Sequence, residues 1–197
     1  MIDYKKNKYE LKLQEYLMTF DDDKSNLIDM KYCAKLRKKA EELTRKKNFE
    51  LYKLINSPKK VDVNKVKDLI NTGADVNCRF EDNITFYMLA ALNCQLDVLD
   101  ILKEEGADIE AKTCYGQDAL MLANLLKHNS YGENKRNYLQ VIKKLQNHGL
   151  GLKMEVDNVG LTRDNYYLGN TDPFTATYLS LIKKYLNGMK KEEYLTK

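Results

Sequence analysis

A five-residue pattern occurs twice in this chain, 33 residues apart, as Gly73-Ala74-Asp75-Val76-Asn77 and Gly106-Ala107-Asp108-Ile109-Glu110. Each copy follows an apolar segment with helical periodicity, residues 66–70 before the first and residues 98–102 before the second. Glycine readily adopts the left-handed conformation that ends many helices, so each copy marks a helix C-terminus. A period of this length indicates tandem structural units.

The residues between the two copies carry a second pattern. Asn83-Ile84-Thr85-Phe86-Tyr87-Met88-Leu89-Ala90-Ala91 resembles the G-x-T-P-L-H-x-A-A pattern of ankyrin repeats, and residues 96–109 resemble the second helix of that repeat and its glycine stop. The threonine and the alanine pair match, whereas the glycine, proline and histidine of the family are replaced. The resemblance implies an all-α solenoid of helix-turn-helix units joined by short β-turns.

Elementary physical chemistry accounts for the residues that match. The Thr85 hydroxyl can cap free N–H groups where a helix begins, and the small side chains of Ala90 and Ala91 let a neighbouring helix approach. One helix pair cannot bury its own apolar face. Stacked pairs can, and the stability of such an array is then a sum of unit and interface contributions.

The repeat register divides the chain into an N-terminal helical extension or cap (1–47), a repeat domain (48–189) and a tail (190–197). Three to four units fit the repeat domain, at about 48–79, 80–112, 113–156 and 157–189. In the extension, apolar stripes within residues 9–20 and 28–43 predict two helices. In the eroded fourth unit, Asp172-Pro173 is typical of a helix start, here that of a closing helix.

The third unit is longer than the period. Gly106 and Gly149 are 43 residues apart, and the ten additional residues fall between Ala123 and Val141. We predict an insertion whose polar tip, residues 128–137, offers Tyr131 for contact. The alternative is a solvated loop between slightly longer helices.

The resemblance implies a binding function, because ankyrin repeats contact partner proteins through their turns and the residues that border each first helix. Motif alignment places these contact positions, together with the insertion residue, at Arg79, Glu81, Asp82, Ile84, Leu92, Asn93, Lys112, Cys114, Tyr115, Gln117, Leu125, Leu126 and Tyr131. We therefore predict a non-enzymatic adaptor or inhibitor that docks a partner protein on its concave surface, possible roles including effector or immunity protein. Leu92 and Leu125 have a second interpretation as core residues.

Charge suggests an alternative partner. Residues 1–60 hold 16 Lys and Arg against 10 Asp and Glu, whereas residues 61–197 hold 17 against 19. A basic N-terminal segment, densest at Arg37-Lys38-Lys39 and Arg45-Lys46-Lys47, fits a regulator that binds nucleic acid. The other interpretation is the solvated face of a charged helix.

Motifs for catalysis, cofactors or metals are not found. The chain lacks GxSxG, GxxxxGK[ST] and HExxH, and neither His128 nor His148 has a partner that the sequence identifies. Its four cysteines have no CxxC spacing and are expected to be reduced thiols. We predict no enzyme activity, no cofactor and no metal. Without an apolar segment of about 20 residues or a signal peptide, we expect a cytoplasmic, monomeric chain that does not bind membranes, and export by another route is left open.

Overall fold

The computed structural model describes residues 7–19, 29–57 and 61–151, and this part of the chain is mostly helical. Its helices are α1 (Lys8–Met18), α2 (Met30–Ile55), α3 (Val63–Asn71), α4 (Phe86–Leu92), α5 (Leu96–Glu104), α6 (Ala119–His128) and α7 (Gly132–Asn147). Within the described residues the extended structure is limited to one isolated antiparallel bridge between Arg79 and Thr85. The predicted fourth unit and tail lie outside these residues.

Polar side chains cap the helices where the sequence predicts that they begin. The Thr85 hydroxyl accepts from the N–H of Met88, and Asp118, 33 residues later, accepts from the N–H of Met121 at the start of α6. At the other ends, Gly73, Gly106 and Gly149 have φ values of +111°, +85° and +105°, a region that L-residues avoid. The predicted helix stops are confirmed.

Three helical hairpins lie side by side. Helices α2 and α3 pack together, as do α4 with α5 and α6 with α7, and each pair joins the next. The first helices form one row in the order α2, α4, α6, and the second helices form another in the order α3, α5, α7. Apolar residues from all three hairpins share one continuous core that begins at Leu51 and ends at Leu150.

The turn that precedes α4 explains a departure from the repeat pattern. Asn83 stands where the pattern has glycine, and its φ of +60° is in the left-handed region. Asparagine enters that region more readily than other non-glycine residues. The equivalent position 33 residues later is Gly116, with φ +82°, so both turns are left-handed at this position, although Asp82, with φ +58°, is left-handed only in the earlier turn.

Two helices differ from the prediction. Helix α2 is continuous from Met30 to Ile55, so the division between extension and repeat domain at residue 47 falls inside a helix. Helix α7 begins at Gly132, and only Asn129–Tyr131 lie between it and α6. The predicted insertion tip over residues 128–137 is therefore wrong and the alternative of longer helices holds, because the ten additional residues lengthen α6 and α7.

Helix α1 packs along α2 and is fixed there by Asn7. The Asn7 carboxamide accepts from the N–H groups of Tyr9 and Glu10 at the start of α1 and donates to the carbonyl of Ala40 and the hydroxyl of Thr44 on α2. Both ends of this buried side chain thus have partners. The predicted N-terminal helical pair is confirmed, except that its second helix extends into the first hairpin.

Candidate functional site

Two neighbouring turns, Arg79–Thr85 and Lys112–Asp118, form a ridge along one edge of the array. One backbone hydrogen bond closes each turn at the equivalent position. It runs from Phe80 N to Ile84 O at 2.8 Å in the first turn and from Thr113 N to Gln117 O at 2.9 Å in the second. We call these two turns together the turn ridge.

Residues of one turn bind the next. The N–H of Cys114 donates to the carbonyl of Asp82 at 2.9 Å, and the Cys114 thiol lies 3.5 Å from the Asp82 carboxylate. Beneath them, Asn77 donates to Gly106 O and accepts from Asp108 N, and Arg79 pairs with Asp108 at 3.4 Å. These bonds join the two turns into a single surface.

The exposed side chains of the turn ridge are mixed in charge with one aromatic group. Arg79, Lys112 and Cys114 are exposed, and Tyr115 is 37% exposed. The negative charge of Asp82 raises the pKa of the Tyr115 phenol, which therefore stays protonated at neutral pH. Burial and then the Asp82 carboxylate raise the pKa of the Cys114 thiol, which disfavours the nucleophilic thiolate.

Five residues placed on the predicted binding surface are buried, so that placement was wrong, although for Leu92 and Leu125 the second interpretation as core residues is confirmed. The five residues are Ile84, Leu92, Gln117, Leu125 and Leu126. The four apolar residues belong to the shared core. Gln117 lies inside its turn, where its N–H donates to the Thr113 hydroxyl and its carboxamide oxygen accepts from that hydroxyl.

The first helices of the second and third hairpins expose no side chain over most of their length. Every residue of α4 is buried, and so is every residue of α6 from Ala119 to Leu126. A helix that is apolar all round is a buried helix, and the sequence of α4, FYMLAAL, has no charged residue and only the Tyr87 hydroxyl as a polar side-chain group. The apolar sequence of α4 was a signal of this burial. Because α4 and most of α6 are buried, the accessible part of the predicted concave surface is restricted to the turns and the helix ends.

A small polar cleft lies at the opposite ends of these helices. It has a volume of about 340 Å³ and is lined by Leu92, Asn93, Cys94, Ser130, Asn134, Asn137 and Tyr138. The Tyr138 hydroxyl donates to the carbonyl of Leu92, and burial raises the pKa of the Cys94 thiol to about 11. Cleft and turn ridge are thus separate surfaces at the two ends of α4.

Asn93 and Tyr131 are the predicted contact residues at this end. The Asn93 amide is half-buried and donates to Asn56 and to the carbonyl of Leu89, so it holds the helix end in place. Tyr131 precedes α7 and is 88% exposed. The structure therefore brings Arg79, Glu81, Asp82, Lys112, Cys114 and Tyr115 together on the turn ridge and places Asn93 and Tyr131 elsewhere.

A polar cluster that the sequence analysis missed joins three helices. The Tyr87 hydroxyl lies 2.7 Å from Nδ1 of His148, and Nε2 of the same ring lies 2.9 Å from the Asp100 carboxylate. Lys144 donates to both oxygens of Asp100, at 2.7 and 3.0 Å. Burial would raise the pKa of Asp100, but the hydrogen bonds from Lys144 and His148 outweigh it and lower that pKa.

This chain of hydrogen bonds gives His148 the partners that the sequence did not identify. In the tautomer that carries its proton on Nε2, the ring donates to Asp100 and Nδ1 accepts from the tyrosine hydroxyl, so each polar atom has a partner. Tyr87 is only 1% exposed, and a buried tyrosine hydroxyl needs a partner. A tyrosine at a core position of a helix indicates a buried hydroxyl that needs a hydrogen-bond partner. No rule of spacing identifies that partner as His148, which is 61 residues away in sequence.

In residues 7–19, 29–57 and 61–151, no group of three or more His, Cys, Asp or Glu side chains is placed to hold a metal ion. The helices of these ranges also lack one long and apolar enough to cross a bilayer. No protein-family model matches the sequence, and no curated protein matches it.

Proposed function

We propose that this chain is an ankyrin-repeat protein that binds another protein through its turn ridge, without enzymatic activity, as an adaptor or inhibitor. The direct contact between the turns, a hydrogen bond from the Cys114 N–H to the Asp82 carbonyl at 2.9 Å, is the observation that carries the proposal. Fixed turns lose little conformational entropy on binding, which favours their use as a docking surface.

The composition of the ridge supports a protein ligand. Tyr115 and Arg79 are of the residue types that contribute most to protein interfaces, and acidic and basic groups surround them. Mixed charge fits a partner surface of mixed charge better than it fits a polyanion. The buried apolar residues beneath, Ile84 among them, fix the backbone from which these groups project.

A photo-crosslinking amino acid at position 115 of the full chain identifies the partner in cells that make the protein. The matched position is Leu139, an apolar residue on α7 that is similarly exposed. We expect a defined crosslinked protein from position 115 and a different or weaker pattern from position 139.

The affinity of the purified partner is then measured for two double variants. Arg79→Ala with Tyr115→Ala removes a cation and an aromatic group from the ridge, and Lys143→Ala with Leu139→Ala removes a cation and an apolar group from α7. Since a hot-spot residue contributes more than about 1 kcal/mol, the ridge variant should bind at least about tenfold more weakly. Unchanged binding by the ridge variant, with its fold intact, would reject this surface.

A further inference from the structure

The exposed face of α2 carries a row of basic side chains. Residues 30–47 of this helix include eight Lys and Arg residues and two Glu residues. Six of the basic residues are exposed and form no ion pair with the described part of the chain, and four of these, Lys31, Lys35, Lys38 and Arg45, lie on one side of the helix. We call these four residues the basic stripe.

Helical geometry aligns the basic stripe. At 3.6 residues per turn the four side chains fall within an arc of about 80°, opposite the face that buries Cys33, Leu36 and Ala40. From Lys31 to Arg45 the stripe extends over 15 residues, which places its ends about 21 Å apart along the helix axis. Glu42 lies in the same row, but Lys46 binds it at 2.6 Å and compensates its charge.

We propose that the basic stripe binds the phosphate backbone of a double-stranded nucleic acid. A duplex carries about one negative charge per 1.7 Å of axis, so a straight row of unpaired cations can contact several phosphates at once. The row is straight because all four residues lie within one uninterrupted helix. This activity is separate from the turn ridge, since the two surfaces share no residue.

An anionic membrane is the competing ligand. Helices that bind membrane surfaces insert an apolar face beside their charged one. The apolar face of α2 is instead packed against protein, and Leu36, Ala40 and Leu51 on it are buried. The free face is mainly charged, and its large exposed apolar side chains, Met30 and Tyr32, are confined to the first turn of the helix, which favours nucleic acid.

The test measures binding of the full chain to a fluorescent 20-base-pair DNA duplex and to the same sequence as RNA, between 50 and 200 mM NaCl. Four phosphate contacts predict a slope of log K against log salt of about −3.6, which is a loss of about a hundredfold over this range. Saturable binding of either duplex with this salt dependence supports the proposal. Failure of both duplexes to bind at 50 mM NaCl overturns it.

Two quadruple variants separate the stripe from net charge. Lys31→Gln, Lys35→Gln, Lys38→Gln and Arg45→Gln neutralise the stripe, whereas Lys65→Gln, Lys135→Gln, Arg136→Gln and Lys143→Gln remove the same charge from exposed positions elsewhere. Glutamine preserves helix propensity, and circular dichroism checks the fold of each variant. We expect the stripe variant to lose binding and the control to stay within twofold of the parent. Equal losses in the two variants, or binding to phosphatidylserine vesicles without binding to either duplex, would overturn the assignment.

Discussion

The side chain of Asn48, in the middle of α2, accepts a hydrogen bond from the backbone N–H of Asp75 at 2.7 Å. One hairpin later, Asn77 accepts from the N–H of Asp108 at the same distance. Asp75 and Asp108 are equivalent residues of the repeated pattern. Helix α2 therefore gives Asp75 of the first hairpin the bond that Asp108 of the second hairpin receives from the preceding one, and in this respect the helix also acts as a cap.

The two asparagines should differ in their contribution to stability. Asn48 is buried and its hydrogen bond to Asp75 is partly buried, so Asn48→Ala should cost about 1 kcal/mol. Asn77 is exposed, and water can replace it. Urea unfolding monitored by circular dichroism measures both variants. An equal or larger loss for Asn77→Ala would contradict the capping role of α2.

The two repeated glycines provide a second comparison. A methyl group added at Gly73 would lie 2.5 Å from Cβ and 3.2 Å from Cα of Asn7, whereas one added at Gly106 meets nothing within 4 Å. Both alanine variants incur the left-handed backbone cost of about 1–2 kcal/mol. Gly73→Ala must also displace the start of α1.

We therefore expect Gly73→Ala to lower the free energy of unfolding by at least about 1 kcal/mol more than Gly106→Ala, as overpacking typically does. Thermal or urea unfolding of the two variants side by side gives this difference. Equal losses would show that α1 does not rest on the first hairpin as described.

Removal of the Tyr87 hydroxyl tests the polar cluster. In Tyr87→Phe the Nδ1 atom of His148 loses its hydrogen-bond partner, and we expect a loss of about 1–2 kcal/mol. Tyr115→Phe is the matched control, because its ring lies on the turn ridge and not in the core. Chemical denaturation of both variants provides the measurement. If Tyr87→Phe were as stable as its control, the Tyr87–His148 hydrogen bond would not contribute to stability.

Acid should weaken the same cluster through Asp100. The pKa of Asp100 is lowered in the folded chain. Its contribution to stability is therefore complete at pH values above the ordinary pKa of aspartate and is lost as the pH falls through the lowered pKa. Between pH 7 and pH 3 the parent should lose more stability than Asp100→Asn, which has no charge to lose. Asp97→Asn, exposed on the same helix, should behave like the parent. Identical acid sensitivity in the parent and Asp100→Asn would contradict the prediction.

Much of this fold was predictable because its signals are local. The Thr85 cap and the stops at Gly73 and Gly106 each depend only on residues at one helix end, and the structure has them where they were expected. The 33-residue spacing is the repetition of this local pattern. Three hairpins in series follow from the same pattern. The length of α7 was not predictable by these means, because a polar segment such as residues 132–137 has no apolar stripe to distinguish a helix from a loop.

The candidate site was less predictable, because exposure depends on what packs against a residue. Ile84 and Gln117 occupy turn positions that a sequence pattern places at the surface, yet both point into the protein. The Tyr87–His148 bond joins residues far apart in sequence, so only the packing of α4 beside the end of α7 reveals it. Arg79 and Tyr115 stayed accessible because each lies on the outer side of its turn.

The stacking of hairpins is tested most directly by nuclear Overhauser contacts between methyl groups of the full chain. With leucine, isoleucine, valine, alanine and methionine methyls labelled, we expect contacts that connect α2 with α4, α4 with α6, and α3 with α5. Such a ladder would establish the two parallel rows. A chain in which α4 gives strong contacts to α5 but none to α6 would contradict the array and the turn ridge that depends on it.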